Sequence, residues 1–157
     1  PHPPYVFNRN GPVTPEKPYV QGAQGIEGQM TAYVEQLAYI NPFVEKMIED
    51  ILENSPSPPI IIIQGDHGGY FYRSSRSQDE LCMKERAPIL NAYFLPGLGN
   101  TSLYESITPV NSFRVIFSQY YGTQYGILED RVYYSGSVEH YLYTDVTEDS
   151  EQSCQLP

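Results

Sequence analysis

An aspartate and a histidine follow directly after the most apolar stretch of this sequence. Residues 59–72 are PIIIIQGDHGGYFY, in which glycines flank Asp66 and His67. Adjacent side chains on a regular strand point to opposite faces of the sheet. Asp66 and His67 can therefore reach the same ligand only if the strand ends before them. The flanking glycines favour such an end, because glycine adopts backbone conformations that other residues avoid. A carboxylate oxygen and an imidazole nitrogen together suit Zn²⁺ or Mn²⁺ better than Ca²⁺ or Mg²⁺. The pair predicts a metal site; the alternative is a turn-capping Asp beside a solvent-facing His.

Other side chains are candidates for substrate contacts. His2 lies in PHPPYVF, where the prolines hold the backbone extended and present the imidazole to a substrate, or leave it simply exposed. Arg73 and Arg76 follow the DHG segment and, together with Lys84 and Arg86, are candidates for hydrogen bonds to an anionic substrate, which an arginine can make in bidentate form. Solvated loop charges are the alternative, and Arg86 has the further alternative of an ion pair with a carboxylate. His140, among tyrosines in VEHYLY, is expected to be structural.

A nucleophile is missing from this set. The sequence contains no GxSxG, no P-loop, no HExxH and no Cys with a nearby basic partner. Catalytic zinc sites usually have three protein ligands, whereas Asp66 and His67 supply two. The residues therefore predict a site of which this chain carries only a part.

The strand and the helix around this pair define the expected fold class. Four consecutive isoleucines within residues 60–64 predict a strand buried on both faces, as in a parallel sheet, whose ligands bind beyond the carboxyl ends of the strands. Apolar residues at spacings of three and four predict a helix over residues 29–54 that packs on this strand. Pro42 is expected to interrupt that helix, with Asn41 capping its second segment. The order of elements indicates an α/β fold.

Three further elements are predicted downstream. ILNAYFLP, residues 89–96, predicts a second strand. A helix is expected to open near Pro109 and run to Tyr121, with Gly122 as its stop. Alternating residues around Ser135 and Gly136 predict a hairpin.

Composition narrows the classes of function. The 157 residues allow one domain, and the net charge of −10 argues against a nucleic-acid partner. Residues 1–28 form a Pro/Gly-rich loop by composition, and residues 145–157 an acidic tail. Cys82 and Cys154 are too few to define a disulfide framework, so they leave the redox compartment open. With 15 Tyr and no Trp, a non-catalytic module that binds glycans through a Tyr-rich surface is the second class of function.

The order of motifs resembles a known family. HPPYVF, IIIIQGDHGG, ERAPILNAYFLPG and TPVNSFRVIFSQYYG, in this order over residues 1–135, resemble the C-terminal half of sulfatase-like proteins of the alkaline-phosphatase superfamily. The phosphoglycerol-transferase and lipoteichoic-acid-synthase-like branch is the most similar. The resemblance implies an α/β fold with a partial alkaline-phosphatase-like sheet flanked by helices, and makes residues 1–157 the C-terminal portion of one such domain.

The resemblance also implies a chemistry. Members of the family cleave or transfer phosphate or sulfate esters through a covalent intermediate, assisted by divalent metals. Asp66 and His67 match the late metal ligands, for which Mn²⁺ or Zn²⁺ is expected, and His2 matches a substrate-side or metal-side His. Arg73 is the second candidate for a substrate contact.

The parts that the resemblance assigns elsewhere define the expected partners. The nucleophile and the early carboxylate ligand belong to an N-terminal half of the same domain, so this chain alone is expected to be inactive toward its anionic ester. An exposed sheet edge is expected to allow self-association. The parent protein is expected to be extracytoplasmic or membrane-anchored.

Overall fold

The computed structural model describes residues 3–13, 25–74, 81–97, 103–136 and 140–155. The chain divides into two compact units, Pro1–Pro59 and Ile60–Pro157. In chain order the described elements are β1 (Phe7–Asn8), β2 (Gly11–Pro12), α1 (Gly25–Asn54), β3 (Ile61–Gln64), β4 (Arg73–Ser74), α2 (Met83–Arg86), β5 (Asn91–Phe94), α3 (Pro109–Tyr121), β6 (Tyr133–Tyr134), β7 (Thr144–Asp145), the 3₁₀ helix Asp149–Glu151 and β8 (Cys154–Gln155). None of the described helices is long and apolar enough to cross a membrane.

The first unit joins a short hairpin to a long helix. Strands β1 and β2 pair antiparallel, and the side chain of Gln36 on α1 accepts hydrogen bonds from the backbone N–H groups of Val6 at 2.9 Å and Phe7 at 3.2 Å. Gln36 is buried, and its carbonyl oxygen satisfies two donors of the adjoining chain. The Phe7 ring stacks on Tyr39 at 4.6 Å between centroids. The hairpin is thus fixed to α1 by polar contacts as well as ring packing.

The interruption expected at Pro42 was wrong. Helix α1 is continuous over Gly25–Asn54, with Pro42 in its interior. A proline removes one intrahelical hydrogen bond and leaves the carbonyl four residues earlier without its partner. Pro42 and Ala38 are both exposed, so water can hydrogen-bond to that carbonyl. Because α1 and β3 belong to different units, the predicted packing of this helix on the strand stays a prediction.

The expected parallel, fully buried strand was also wrong. Strand β3 pairs antiparallel with β5, with Ile61 opposite Phe94 and Gln64 opposite Asn91. Among the described residues these two strands form a two-stranded sheet, and the isoleucines of β3 are half-buried. A parallel connection needs a crossover of a dozen or more residues, usually a helix. The segment between the strands is long enough for such a crossover, but its described residues include no helix longer than the four-residue α2, and the chain returns antiparallel.

The helix and the hairpin predicted downstream are present. Helix α3 spans Pro109–Tyr121 and ends at Gly122, whose φ of 67° is the left-handed conformation that favours glycine. Strands β6 and β7 pair antiparallel, and the N–H of Val146 extends the ladder to the carbonyl of Val132 at 2.8 Å. The mixture of helices and small antiparallel sheets agrees with an α/β protein in general terms.

The two cysteines form a disulfide that composition could not predict. Cys82 precedes α2 and Cys154 lies in β8, with their Cα atoms 5.5 Å apart and a sequence separation of 72. Strand β8 also pairs with β4. The disulfide and this pairing both join β8 to the segment between β3 and β5.

We expect loss of this disulfide to destabilise the second unit by about 4 kcal/mol, because it closes a long loop in the unfolded chain. Denaturant unfolding of the unaltered chain, with and without dithiothreitol, measures the effect against a C82S/C154S variant. The reductant should have no effect on that variant. Equal stability of the oxidised chain and the double variant would contradict the expectation.

Candidate functional site

The β3–β5 ladder ends at the residue before Asp66. The N–H of Gly65 donates to the carbonyl of Leu90 at 2.8 Å, and beyond it the chain leaves the sheet. The N–H of His67 then donates to Asp66 Oδ1 at 3.0 Å. Asp66 Oδ2 lies 3.6 Å from His67 Nε2, so the two side chains meet on one side of the chain. The sequence placed this pair at the carboxyl end of the strand, and the structure brings the two groups together there.

The glycines after His67 serve close packing. Gly68 and Gly69 do not have positive φ angles, so the backbone freedom expected from the sequence is not what these positions require. A Cβ at Gly68 would overlap the carbonyl oxygen of Glu85 and lie 2.5 Å from that of Pro88, and a Cβ at Gly69 would overlap the Glu85 carboxylate. The N–H of Gly68 donates to the carbonyl of Arg86 at 2.8 Å. The loop therefore approaches the chain around α2 more closely than any side chain would allow.

Helix α2 holds this loop with two neighbouring side chains. The carboxylate of Glu85 accepts hydrogen bonds from the N–H groups of Phe71 at 3.0 Å and Tyr72 at 2.7 Å. Arg86 Nη1 lies 2.6 Å from His67 Nδ1 and donates to the carbonyl of Gly68 at 3.2 Å. We call this set of contacts between residues 65–72 and residues 85–90 the loop clamp. The disulfide at Cys82 anchors it, since α2 begins at the next residue.

The geometry of the pair fits two ligands of one metal ion. Two bonds of about 2.1 Å at a tetrahedral angle separate their ligand atoms by about 3.4 Å. The separation between Asp66 Oδ2 and His67 Nε2 is 3.6 Å, and both residues are exposed. The pKa of the Asp66 carboxyl is lowered, first by a hydrogen bond from its own backbone N–H and then by electrostatic interaction with the His67 ring, so the carboxylate is ionised at neutral pH.

The pair is a partial ligand set. In the parts of the chain that the structure describes, no group of three His, Cys, Asp or Glu side chains is arranged to hold a metal. His2, the third candidate, lies outside the described residues. A complete zinc or manganese site would need further ligands.

A cleft of about 1110 Å³ opens in front of the pair. Arg86 lines it, whereas Arg73 is not among its lining residues and takes part in the β4–β8 pairing. Arg86 is therefore better placed to reach a ligand in the cleft, and the substrate contact predicted for Arg73 stays a prediction. The polar side chains along the cleft are Asp66, His67, Arg86, Asn91, Tyr93, Tyr104, Glu105, Ser106, Thr108, Arg131, Tyr133, Tyr134, Ser135 and Ser150.

A polar network around Asp130 supports one wall of the cleft. Asp130 Oδ1 accepts from the N–H and the hydroxyl of Thr108 at 2.8 and 2.6 Å and from the amide of Asn111 at 2.9 Å, and Oδ2 accepts from the Tyr104 hydroxyl. Asn111, fully buried, also pairs with the backbone N–H and carbonyl of Leu128 at 2.9 and 2.8 Å. The network fastens the irregular segment after α3 to the start of that helix.

Sequence reasoning missed these supporting residues. Asn111 and Ser112 lie on the same face of α3 as Val115 and Ile116, all four buried. Two polar residues on an otherwise apolar helical face were a detectable signal of a buried network. Glu85 gave no such signal, because its two hydrogen bonds go to backbone groups.

We expect Gly68→Ala to destabilise the second unit by about 1–3 kcal/mol, the usual cost of inserting a methyl group into a tightly packed position. Gly65→Ala is the matched control, because its Cβ would lie 3.6 Å from the nearest atom, an ordinary contact. Denaturant unfolding measures both variants. Equal stability of the two would show that the close approach at Gly68 is not required.

The Asp130 network should make stability depend on pH. Burial raises the pKa of this carboxyl, but the hydrogen bonds from Thr108, Tyr104 and Asn111 outweigh that effect and leave the pKa lowered. Relative to an ordinary Asp pKa of about 3.9, the stabilisation is fully present above about pH 5 and is lost as the pH falls through the folded-state value.

We therefore expect Asp130→Asn to reduce the free energy of unfolding at pH 7 by about 1 kcal/mol, the lower range for a hydrogen-bonded charge near solvent. The difference from the unaltered chain should shrink below about pH 4. Urea unfolding from pH 7 to pH 3 is the measurement, with Glu105→Gln, an exposed carboxylate at the same cleft, as the control. A difference that grows on acidification would contradict this assignment.

Comparison of the chain with protein-family models, with curated proteins and with solved structures found no match. The resemblance to sulfatase-like proteins therefore rests on the sequence motifs alone, and the function is argued from the residues and their geometry.

Proposed function

We propose that this chain contributes metal ligands and one part of the substrate cleft to a metal-dependent hydrolase or transferase of phosphate or sulfate esters. In this proposal it is the C-terminal part of a sulfatase-like domain, with Asp66 and His67 as its late metal ligands. The observation that carries the proposal is the 3.6 Å separation of Asp66 Oδ2 and His67 Nε2, two side chains that line the cleft of about 1110 Å³.

Each residue of the proposed site has a distinct role. Asp66 and His67 hold the ion, Mn²⁺ or Zn²⁺, at the end of β3. Arg86 supplies positive charge to the cleft. Arg131 also lines it, but its guanidinium is bound to Glu129 and Asp145, each at 2.8 Å. A metal bound here would neutralise charge on the ester and activate a nucleophile.

The nucleophile is proposed to come from the remainder of the domain. Thr108 lines the cleft and its hydroxyl donates to Asp130, an arrangement that superficially resembles a nucleophile beside its base. The Asp130 carboxylate already accepts three further hydrogen bonds, and its lowered pKa makes it a weak base. We therefore expect this hydroxyl to be structural and the chain alone to be inactive.

The disulfide supports an extracytoplasmic location for the protein. Structural disulfides form and persist mainly in oxidising compartments. The Cys82–Cys154 bond anchors α2, which carries Glu85 and Arg86 of the loop clamp. A reducing compartment would remove that anchor, so we propose that the protein acts outside the cytoplasm.

Glycan binding without catalysis is the second candidate function. Tyr133 and Tyr134 on β6 line the same cleft as Asp66 and His67. Both rings are exposed, at 57% and 37% of their surface, and tyrosine combines an apolar face with a hydroxyl that suits a sugar. This candidate predicts sugar binding that needs neither a metal nor Asp66.

Isothermal titration with Mn²⁺ and Zn²⁺, and separately with oligosaccharides, tests the two candidate functions. We expect the unaltered chain to bind one ion per chain, and Asp66→Asn and His67→Gln each to weaken binding by more than about tenfold. His140→Gln is the control, since it removes an exposed imidazole that does not line the cleft. Absence of metal binding, together with binding of oligosaccharides that persists in Asp66→Asn, would reject the first candidate in favour of the second.

A further inference from the structure

Arg86 makes an unusual contact for a cleft arginine. Its Nη1 lies 2.6 Å from His67 Nδ1, and it also donates to the Gly68 carbonyl at 3.2 Å. Among the described residues no carboxylate lies within ion-pair distance of the Arg86 guanidinium. The described hydrogen-bond partners of this cation are an imidazole nitrogen and a carbonyl, both neutral acceptors, and the Asp66 carboxylate is near enough to interact with it electrostatically.

The contact with Arg86 favours one of the two tautomers of a neutral His67. A guanidinium has only donors, so His67 Nδ1 must accept the hydrogen bond. A neutral imidazole that accepts at Nδ1 carries its proton on Nε2. Nε2 is the nitrogen that faces Asp66, and a protonated nitrogen cannot bind a metal. The conformation with Arg86 on His67 is thus incompatible with an ion between Asp66 and His67.

A second arrangement of the same residues is compatible with the ion. His67 Nδ1 lies 2.9 Å from the carbonyl oxygen of Gly68, close enough to donate a hydrogen bond to it if the proton moves to Nδ1. A backbone carbonyl that accepts from the second ring nitrogen is a common support for a metal-bound histidine. In this arrangement Nε2 is free to bind a metal and Arg86 has lost its place on Nδ1.

We propose that Arg86 is a positioning residue that couples metal binding to anion binding. Without the ion it holds His67 in the tautomer that excludes metal. With the ion it leaves His67, and its planar fork of donors binds an oxyanion of the ester in the adjoining cleft. The metal-dependent part of this inference rests on the proposed function, whereas the effect of Arg86 on the His67 tautomer does not.

Nitrogen-15 NMR of the histidine rings tests the tautomer directly, without metal. We expect His67 in the unaltered chain to carry its proton on Nε2, and in Arg86→Gln to shift to the tautomer protonated on Nδ1. Lys84→Gln is the matched control, because it removes one positive charge from an exposed position on the same short helix. The His67 signal is identified by its loss in His67→Gln. A ring protonated on Nδ1 in the unaltered chain, or a tautomer unchanged in Arg86→Gln, would overturn the inference.

Titration with Zn²⁺ in the absence and presence of sulfate tests the coupling. Without sulfate, Arg86→Gln should bind the ion about tenfold more tightly than the unaltered chain, because the ion no longer competes with a charged hydrogen bond. A purely structural arginine would give the opposite result, weaker binding. Sulfate should strengthen Zn²⁺ binding to the unaltered chain and to Lys84→Gln, but not to Arg86→Gln.

The outcomes separate the two proposals. Zn²⁺ binding that Asp66→Asn abolishes but Arg86→Gln leaves unchanged overturns the coupling and leaves the proposed function standing. Absence of Zn²⁺ binding to the unaltered chain overturns both the proposed function and the coupling. Tighter binding to Arg86→Gln with sulfate coupling lost supports both.

Discussion

The candidate site depends on the close approach of residues 65–72 to residues 85–90. The two segments of this loop clamp are not joined as strands of one sheet, so individual contacts hold them together. Gly68 leaves the space, Glu85 satisfies two backbone donors of the loop, and Arg86 reaches His67. An unpaired backbone N–H at a poorly solvated position costs about 1–3 kcal/mol, so the Glu85 carboxylate is a structural requirement of the loop. The positions of Asp66 and His67 follow from these contacts, because β3 itself ends before them.

The disulfide and the Asp130 network stabilise the surroundings of the candidate site in a similar way. Cys82 and Cys154 fix the start of α2, from which both clamping side chains project. On another wall of the cleft, the Asp130 network fastens an irregular segment to α3. Both devices replace the regular hydrogen bonding that the small two-stranded sheets do not provide. In the described part of the second unit, where the sheets are two-stranded, a covalent bond and polar contacts thus hold segments that line the cleft.

Local sequence patterns predicted the longer helices and strands, but they did not predict which strands pair with each other. The bounds of α3 followed from Pro109 and Gly122, whose conformational preferences act on their own neighbours. The parallel arrangement assigned to β3 failed, because an apolar run indicates burial but does not identify the strand that will pair with it. In the candidate site, Asp66 and His67 were predicted as metal ligands from their residue types and from the glycines that flank them. Glu85 and Arg86 were not assigned as the clamp, because contacts across such a gap in sequence depend on the folded chain.

We propose that Asp66 and His67 bind one metal ion between them once Arg86 leaves His67 Nδ1. A crystal structure of the chain soaked in Mn²⁺ or Zn²⁺, with anomalous scattering recorded at the absorption edge of the metal, tests it most directly. We expect one anomalous peak about 2.0–2.2 Å from both Asp66 Oδ2 and His67 Nε2, with Arg86 displaced from His67 Nδ1. A saturated soak that places the ion elsewhere, or leaves the Arg86–His67 contact intact with no peak between the two ligands, would contradict it.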